Sequence, residues 1–167
     1  MSTSFEDLRI LQAAEKIADG VWDEISGWSF FARDVVGKQM ARSADSIGAN
    51  IAESFGRYHY GEKLNFLYYA RGSLFETKYW LNRSINRQLI SASHFEAYSN
   101  DLTQLAKQVN SFARSLKRQK RVTSKNRVAE TTPTYHIVEE NLFTQFDLDW
   151  LQTQQPTRHP QSIISNS

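Results

Sequence analysis

Cysteine is absent from the 167-residue chain, and proline and glycine are scarce, with three and seven residues respectively. Without cysteine, the chain has no disulfide, no thiolate metal site and no thiol nucleophile. The first proline is Pro133, so no proline interrupts a helix earlier in the sequence. No apolar run approaches the ~18 residues that span a bilayer, and residues 1–7 do not begin a secretory signal. We therefore expect a soluble cytoplasmic protein with no membrane partner.

Residue patterns typical of catalytic or metal sites are also lacking. No histidine follows a glutamate at Glu-x-x-His spacing, so a di-iron bundle is not indicated. The histidines are scattered, which gives no zinc spacing: His59, His94, His136 and His159. There is no glycine loop for phosphate and no arguable Ser/His/Asp set. We expect no catalytic residues, no metal and no cofactor, and hence a protein that is not an enzyme.

Apolar residues recur at gaps of three and four, the spacing of a helix with one buried face. The second segment shows it at Val36, Met40, Ala44, Ile47 and Ile51. Four such segments are predicted as helices, at residues 5–25, 34–55, 62–87 and 91–119. With short connections they form an antiparallel up-down-up-down four-helix bundle, an all-α fold. Residues 1–119 are assigned to this bundle, and residues 120–167, rich in Pro, Thr and Gln, to a largely disordered tail.

Three local features refine this prediction. Trp28, Phe30 and Phe31 are expected to form an aromatic linker that covers one end of the core. Asp34 is a suitable N-cap for the second helix. Gly56 is expected to close that helix in the left-handed conformation.

The stretch from Gln39 to Leu74 carries a family resemblance. Two blocks contribute to it, and they contain Arg42, Ser46, Ile47, Asn50, Ile51, Ala52, Glu53, Gly56 and Arg57, then Phe66, Leu67, Ala70, Arg71, Gly72, Ser73, Leu74 and Glu76. This pattern resembles the four-helix-bundle proteins encoded within intervening sequences of 23S ribosomal RNA genes. The resemblance implies a five-fold ring of bundles and a link with ribosomal RNA. A related bundle type serves as accessory subunit to the reverse transcriptase of diversity-generating retroelements.

The third helix has aromatic residues around its whole circumference. They are Phe66, Tyr68, Tyr69, Phe75, Tyr79 and Trp80. A helix in a monomeric bundle needs only one buried stripe, so the excess predicts self-association into a homo-oligomer. The resemblance makes this oligomer a pentamer. The alternative is that these rings lie across neighbouring side chains and stay partly exposed.

Polar residues of the resemblance lie at helical spacing. Asn50, Glu53 and Arg57 share the second helix, and Arg71 and Glu76 share the third. We interpret them as a clamp that fixes helix register or as a contact between subunits, together with Phe66, Tyr69 and Trp80. A catalytic role is the alternative.

Basic residues gather late in the chain. The run contains no acid and consists of Lys107, Arg114, Lys117, Arg118, Lys120, Arg121, Lys125 and Arg127. Such a helix end attracts phosphate backbones, so we predict binding of nucleic acid, in particular RNA. No aromatic residue is interleaved from residue 114 to 127, so binding should tolerate any sequence. The alternatives are a solvated helix end, where cations favour the dipole, or a basic run neutralised by the acidic segment that follows.

That acidic segment, residues 139–151, mixes acids with large apolar residues such as Leu142, Phe143 and Trp150. It could be a docking peptide for a protein partner or a short helix that packs back on the bundle. Our first hypothesis is therefore a non-enzymatic, RNA-binding ring. The second is an adaptor for a nucleic-acid enzyme such as a reverse transcriptase, and the third is a purely structural oligomer.

Overall fold

The computed structural model describes residues 5–125 and 141–154, and all regular structure in them is helical. Helix α1 is Phe5–Ser26. Helix α2 has three parts, a short start at Phe30–Ala32, a π-helical segment at Arg33–Gly37 and a long α-helix at Lys38–Gly56. Helix α3 is Tyr60–Asn86, α4 is Ala92–Lys125, and α5 is Gln145–Gln152.

The first four helices form the expected bundle. Each packs against its neighbours in the order α1, α2, α3, α4, and α4 closes the ring by packing against α1. Short connections between consecutive helices make this an up-down-up-down arrangement. The apolar positions that predicted α2, including Val36, Met40, Ala44, Ile47 and Ile51, are all buried. The helical periodicity therefore predicted both the helices and the core.

The connection between α1 and α2 differs from the prediction. Trp28 is buried, but Phe30 and Phe31 point outward and are 77% and 76% exposed. Ser29, not Asp34, is the N-cap, since its hydroxyl accepts a hydrogen bond from the Ala32 amide at 3.3 Å. Helix α2 thus begins one turn earlier than expected, and this turn directs both phenylalanines away from the core.

The left-handed backbone conformation also falls at an unexpected place. Gly56 does not adopt it, since among the described residues only Gln88 has a positive φ, of 58°. Gln88 follows α3, and the next amide, that of Leu89, donates to the Ser84 carbonyl at 2.9 Å. This bond closes a Schellman motif, which normally places glycine where Gln88 stands.

Two features lie beyond the expected bundle boundary at residue 119. Helix α4 continues to Lys125, and residues 141–154, including α5, pack against the bundle. Of the two alternatives for the acidic segment, the structure thus has the one in which it packs back. We call residues 141–154 the strap. The rest of the predicted tail, residues 126–140 and 155–167, lies outside the described residues.

Candidate functional site

The cationic residues predicted to bind nucleic acid fall on α4. Lys107, Arg114 and Arg118 are separated by seven and four residues, so they share one face of the helix. All three are exposed, and we call them the cationic stripe. Positions 121 and 125 continue the same spacing along α4. This face offers at least three cations over roughly 16 Å of helix.

Of the other basic residues of the run, Lys117 alone has a described side chain, and it does not extend the stripe. Lys117 is half-buried and lies about a quarter-turn away from Arg118 on α4. The side chains of Lys120, Arg121 and Lys125, and the whole of Arg127, lie outside the part of the chain that the structure describes.

The described acids of the strap, Asp147 and Asp149, do not pair with the cationic stripe, while Glu139 and Glu140 lie outside the described residues. Asp147 is paired with Arg71 of α3, at 3.1 Å, and Asp149 accepts a hydrogen bond from Gln145 within the strap at 2.8 Å. Arg114 meets the strap only at the Asn141 side-chain oxygen, 3.5 Å away. Within residues 5–125 and 141–154, the three cations of the stripe therefore have no carboxylate partner on the strap.

Most predicted contact residues lie on one outer face, where α2 and α3 run side by side. The residues are spaced by three and four along each helix, and the face consists of Arg42, Ser46, Asn50, Glu53 and Arg57 on α2 and Phe66, Tyr69, Ser73, Glu76 and Trp80 on α3. We call this the signature face. It unites every contact residue predicted above except Arg71.

Cross-helix contacts occur along the whole signature face. At one end, Arg42 and Glu76 line a small cleft of about 140 Å³. In the middle, the Asn50 amide lies 3.4 Å from the Ser73 hydroxyl. At the other end, the Arg57 guanidinium lies over the Phe66 ring, 4.4 Å from its centre, and also pairs with Glu53 at 2.6 Å. These contacts relate the register of α2 to that of α3.

Arg71 points to a different side of α3. Its guanidinium pairs with Asp147 of the strap and lies over the Phe75 ring, 4.7 Å from its centre. Burial raises the pKa of Asp147, but hydrogen bonds from Thr144 and Arg71 outweigh it and hold that pKa below its usual value. Arg71 is thus a contact between the bundle and the strap.

An apolar surface lies at the end of the bundle where α1 meets α2. Trp22, Phe30 and Phe31 are all largely exposed, and a groove of about 650 Å³ runs beside Trp22 and Phe30. We call these three residues the end patch. On α3, Tyr68, Tyr69 and Tyr79 are also about half exposed.

The residue that sequence reasoning missed is Lys78 on α3. Its side chain is fully buried, and its ammonium donates to the Ser99 hydroxyl at 2.8 Å and lies 4.1 Å from the centre of the Phe95 ring. Burial lowers the pKa of Lys78 to about 7. The only signal in the sequence was its place on the apolar stripe, one position after the buried Thr77.

In the described residues, no cluster of His, Asp or Glu side chains is placed to hold a metal ion. No helix in residues 5–125 or 141–154 has the length and apolar character to cross a membrane. The arrangement instead offers three surfaces, one cationic, one mixed polar and aromatic, and one apolar.

These features define an all-helical bundle protein with a strap added to its third and fourth helices. Residues 6–111 match the model of the 23S rRNA-intervening sequence protein family, and the chain belongs to that family. The match includes α2, α3 and the signature face, and it ends before the strap.

A solved relative supports the fold. It is a protein of unknown function from the S23 ribosomal protein family of Bacteroides thetaiotaomicron, with 27% sequence identity and a TM-score of 0.60. The alignment covers 99% of that relative but 66% of this chain, so about a third of this chain has no counterpart there. No curated protein matches the chain.

Proposed function

We propose that this protein is a non-enzymatic, self-associating helical bundle, a pentameric ring, that binds RNA through the cationic stripe of α4. The observation that carries the proposal is the stripe itself. Lys107, Arg114 and Arg118 are exposed on one helix face, and no acid occurs between residues 102 and 129. The name of the family, which refers to ribosomal RNA, agrees with this choice of nucleic acid.

The stripe suits a phosphate backbone better than it suits bases. Its cations lie along a straight helix, where they can meet successive phosphates of one strand. The side chains between them on the same face, such as Ser111, are polar and offer no ring for stacking. Binding should therefore depend on charge and salt and only weakly on sequence.

Self-association is supported by the exposed aromatic residues. The end patch lies where α1 meets α2, and Tyr68, Tyr69 and Tyr79 lie on α3, so large apolar side chains are exposed in two parts of the bundle. Exposed apolar patches are typical of protein–protein contacts. Two distinct patches on one chain suit a head-to-tail contact, which closes into a ring when the rotation allows. A ring would also bring several stripes together and strengthen the local positive field.

The RNA-binding proposal is tested with a fluorescently labelled single-stranded RNA in anisotropy titrations from 50 to 200 mM salt. The stripe variant is Lys107→Gln/Arg114→Gln/Arg118→Gln. The control variant is Arg33→Gln/Lys63→Gln/Arg87→Gln, which removes the same charge from other surfaces.

The stripe variant should bind at least ~10-fold more weakly and show a shallower salt slope, by about 0.7 for each phosphate that the variant no longer neutralises. The control should keep the wild-type slope. If both variants bind with the same reduced affinity, the binding reflects net charge and the stripe is not the site.

Self-association is tested by sedimentation velocity of the wild type and of Phe30→Ser/Phe31→Ser. The wild type should sediment as a closed oligomer and the variant as smaller species, with unchanged helical circular dichroism. A wild-type protein that sediments as a single compact subunit at micromolar concentration would refute the ring.

A further inference from the structure

The strap occupies a groove between α3 and α4 through specific polar contacts as well as apolar ones. Leu142, Phe143 and Leu151 are buried. The Phe75 ring of α3 stacks on Phe143 at a centroid distance of 5.9 Å and meets Trp150 at 5.3 Å. We call the surface that these side chains cover the strap groove.

Asn110 of α4 holds the strap by its backbone. Its side-chain amide donates to the Phe143 carbonyl at 2.8 Å, and its side-chain oxygen accepts from the Phe143 amide at 2.7 Å. Both bonds are buried, and neither depends on the side chain at position 143. An asparagine in this position recognises any extended residue whose backbone N–H and C=O are both free.

Arg71 recognises the start of the strap helix. Thr144 and Asp147 form a capping box at the beginning of α5, and the same Asp147 oxygen that accepts the Thr144 amide also pairs with Arg71. The groove therefore selects a helix with an acid at its third position. An aromatic residue comes immediately before the N-cap of that helix. These are features of a peptide-recognition site that reads a short amphipathic helix.

The groove is part of the bundle, whereas the strap is an addition to it. Arg71, Phe75 and Asn110 all lie within the family match at residues 6–111, and the strap lies outside it. The solved relative forms its fold although a third of this chain has no counterpart in it. Groove and strap are thus separable parts, joined by residues 126–140.

We propose that the strap groove is a binding site for a short acidic-aromatic helix of a partner protein, and that the strap is its competitive inhibitor within the same chain. The partner segment carries the chemistry of the strap: an aromatic residue, Ser or Thr, two further residues, then Asp, and an aromatic-leucine pair one turn later. Exchange occurs when the strap leaves and the partner helix takes the same contacts to Arg71, Phe75 and Asn110.

The strength of this inhibition follows from the strap and the groove belonging to one chain. A ligand that is linked covalently to its site competes at an effective concentration that is commonly on the order of 1 mM. If the free segment binds with a Kd of about 10 µM, the strap weakens a competing helix about 100-fold. A partner must therefore be tight-binding, multivalent or locally concentrated.

The proposal is tested with a labelled synthetic peptide of residues 141–154 added to the full chain. Asp147→Arg opens the strap, because it breaks the capping box and places a cation beside Arg71. Asp149→Arg is the matched control, since it makes the same charge change on an exposed position of α5. In the opened chain, Asn110→Ala removes the backbone contact and Ser111→Ala is its neighbouring control.

The opened chain should bind the peptide at least ~10-fold more tightly than the wild type and Asp149→Arg do. Adding Asn110→Ala should abolish that binding, whereas Ser111→Ala should not. If the opened chain keeps its helical circular dichroism and does not bind the peptide, or if Asn110→Ala has no effect, the groove is not a recognition site.

Hydrogen exchange on the unmodified protein gives a second test that needs no variant. The strap amides, including those of Phe143 and Leu148, should exchange as one group at least ~10-fold faster than core amides such as Leu74 and Leu105. Equal protection would make the strap an integral part of the fold and would overturn the proposal.

Discussion

The ammonium of Lys78 donates to the hydroxyl of Ser99 at 2.8 Å in the interior of the bundle, where α3 meets α4. Both side chains are fully buried. A buried charge without a carboxylate partner is unfavourable, and among the described residues a hydroxyl and the face of the Phe95 ring are what compensate it. The neutral amine is therefore much more favourable in the folded protein than in the unfolded chain.

This contact predicts an unusual pH dependence of stability. Because the pKa of Lys78 is lowered to about 7, the unfolded chain binds more protons than the folded one between pH 7 and 10.5. The free energy of unfolding should thus rise with pH across this window, by roughly 3 kcal/mol from pH 7 to 9.5. Denaturant titrations of the wild type and of Lys78→Met measure it.

Lys78→Met should remove this rise and be more stable than the wild type at pH 6, where the wild type carries the full cost of the buried charge. The exposed Lys107→Met serves as control and should follow the wild-type profile. The experiment stays below pH 10, since burial, with nearby acids, raises the pKa of Tyr98 to about 12. Parallel profiles for the wild type and Lys78→Met would contradict the prediction.

Gly37, the last residue of the π-helical segment of α2, packs closely against α1. A Cβ atom on Gly37 would lie 2.7 Å from the Ile25 methyl group of α1, which is closer than packed carbon atoms come. Gly37→Ala should destabilise the protein by about 1–3 kcal/mol, because α1 and α2 must move apart. The midpoint of denaturant unfolding is the measurement.

Gly72 on α3 offers the matched control. A Cβ atom there meets nothing within 4 Å, so Gly72→Ala should stabilise the protein by about 0.5–1 kcal/mol through helix propensity. Destabilisation by both substitutions to a similar extent would mean that close packing at Gly37 is not the cause.

The positive φ of Gln88 predicts that glycine at this position would stabilise the protein. This φ of 58° is unfavourable for a residue with a side chain, at a cost of about 1–2 kcal/mol. Gln88→Gly should recover about 1 kcal/mol of unfolding free energy, while Gln88→Ala keeps the strain and should be nearly neutral. Thermal unfolding of the three proteins distinguishes them, and a lower melting temperature for Gln88→Gly would refute the idea.

Much of the bundle could be predicted because one apolar stripe per helix decides which face is buried. Ile47 and Ile51 of α2 and Leu74 and Leu81 of α3 followed that rule. Phe30 and Phe31 did not, because residue type alone does not fix the direction in which a helix start points. The exposure of Phe30 and Phe31 follows from the helix start that Ser29 caps, which the residue pattern did not indicate.

Some residues of the candidate sites could be predicted from helical spacing, and others could not. The signature face follows from spacing. Arg71 was predicted together with these contact residues, but it lies about 200° around α3 from Tyr69 and pairs with Asp147 of the strap. Asn110 gave no such signal, and Lys78 gave only its place on the apolar stripe of α3, because burial of a polar side chain is decided by what packs over it. The capping-box spacing of Thr144 and Asp147 was a usable sign of α5.

The pairing of Arg71 with Asp147 predicts that acid releases the strap. Since the folded pKa of Asp147 is held below 3.8, its carboxylate stabilises the closed strap at all pH values well above 3.8. That contribution is lost as the pH falls through the lowered pKa. The amide resonance of Phe143, which is hydrogen-bonded to Asn110, reports closure by NMR. In Asp147→Asn, the strap should close more weakly, and its closure should not change with pH from pH 5 downward. If the Phe143 resonance shifts with pH in the same way in both proteins, another group causes the release of the strap.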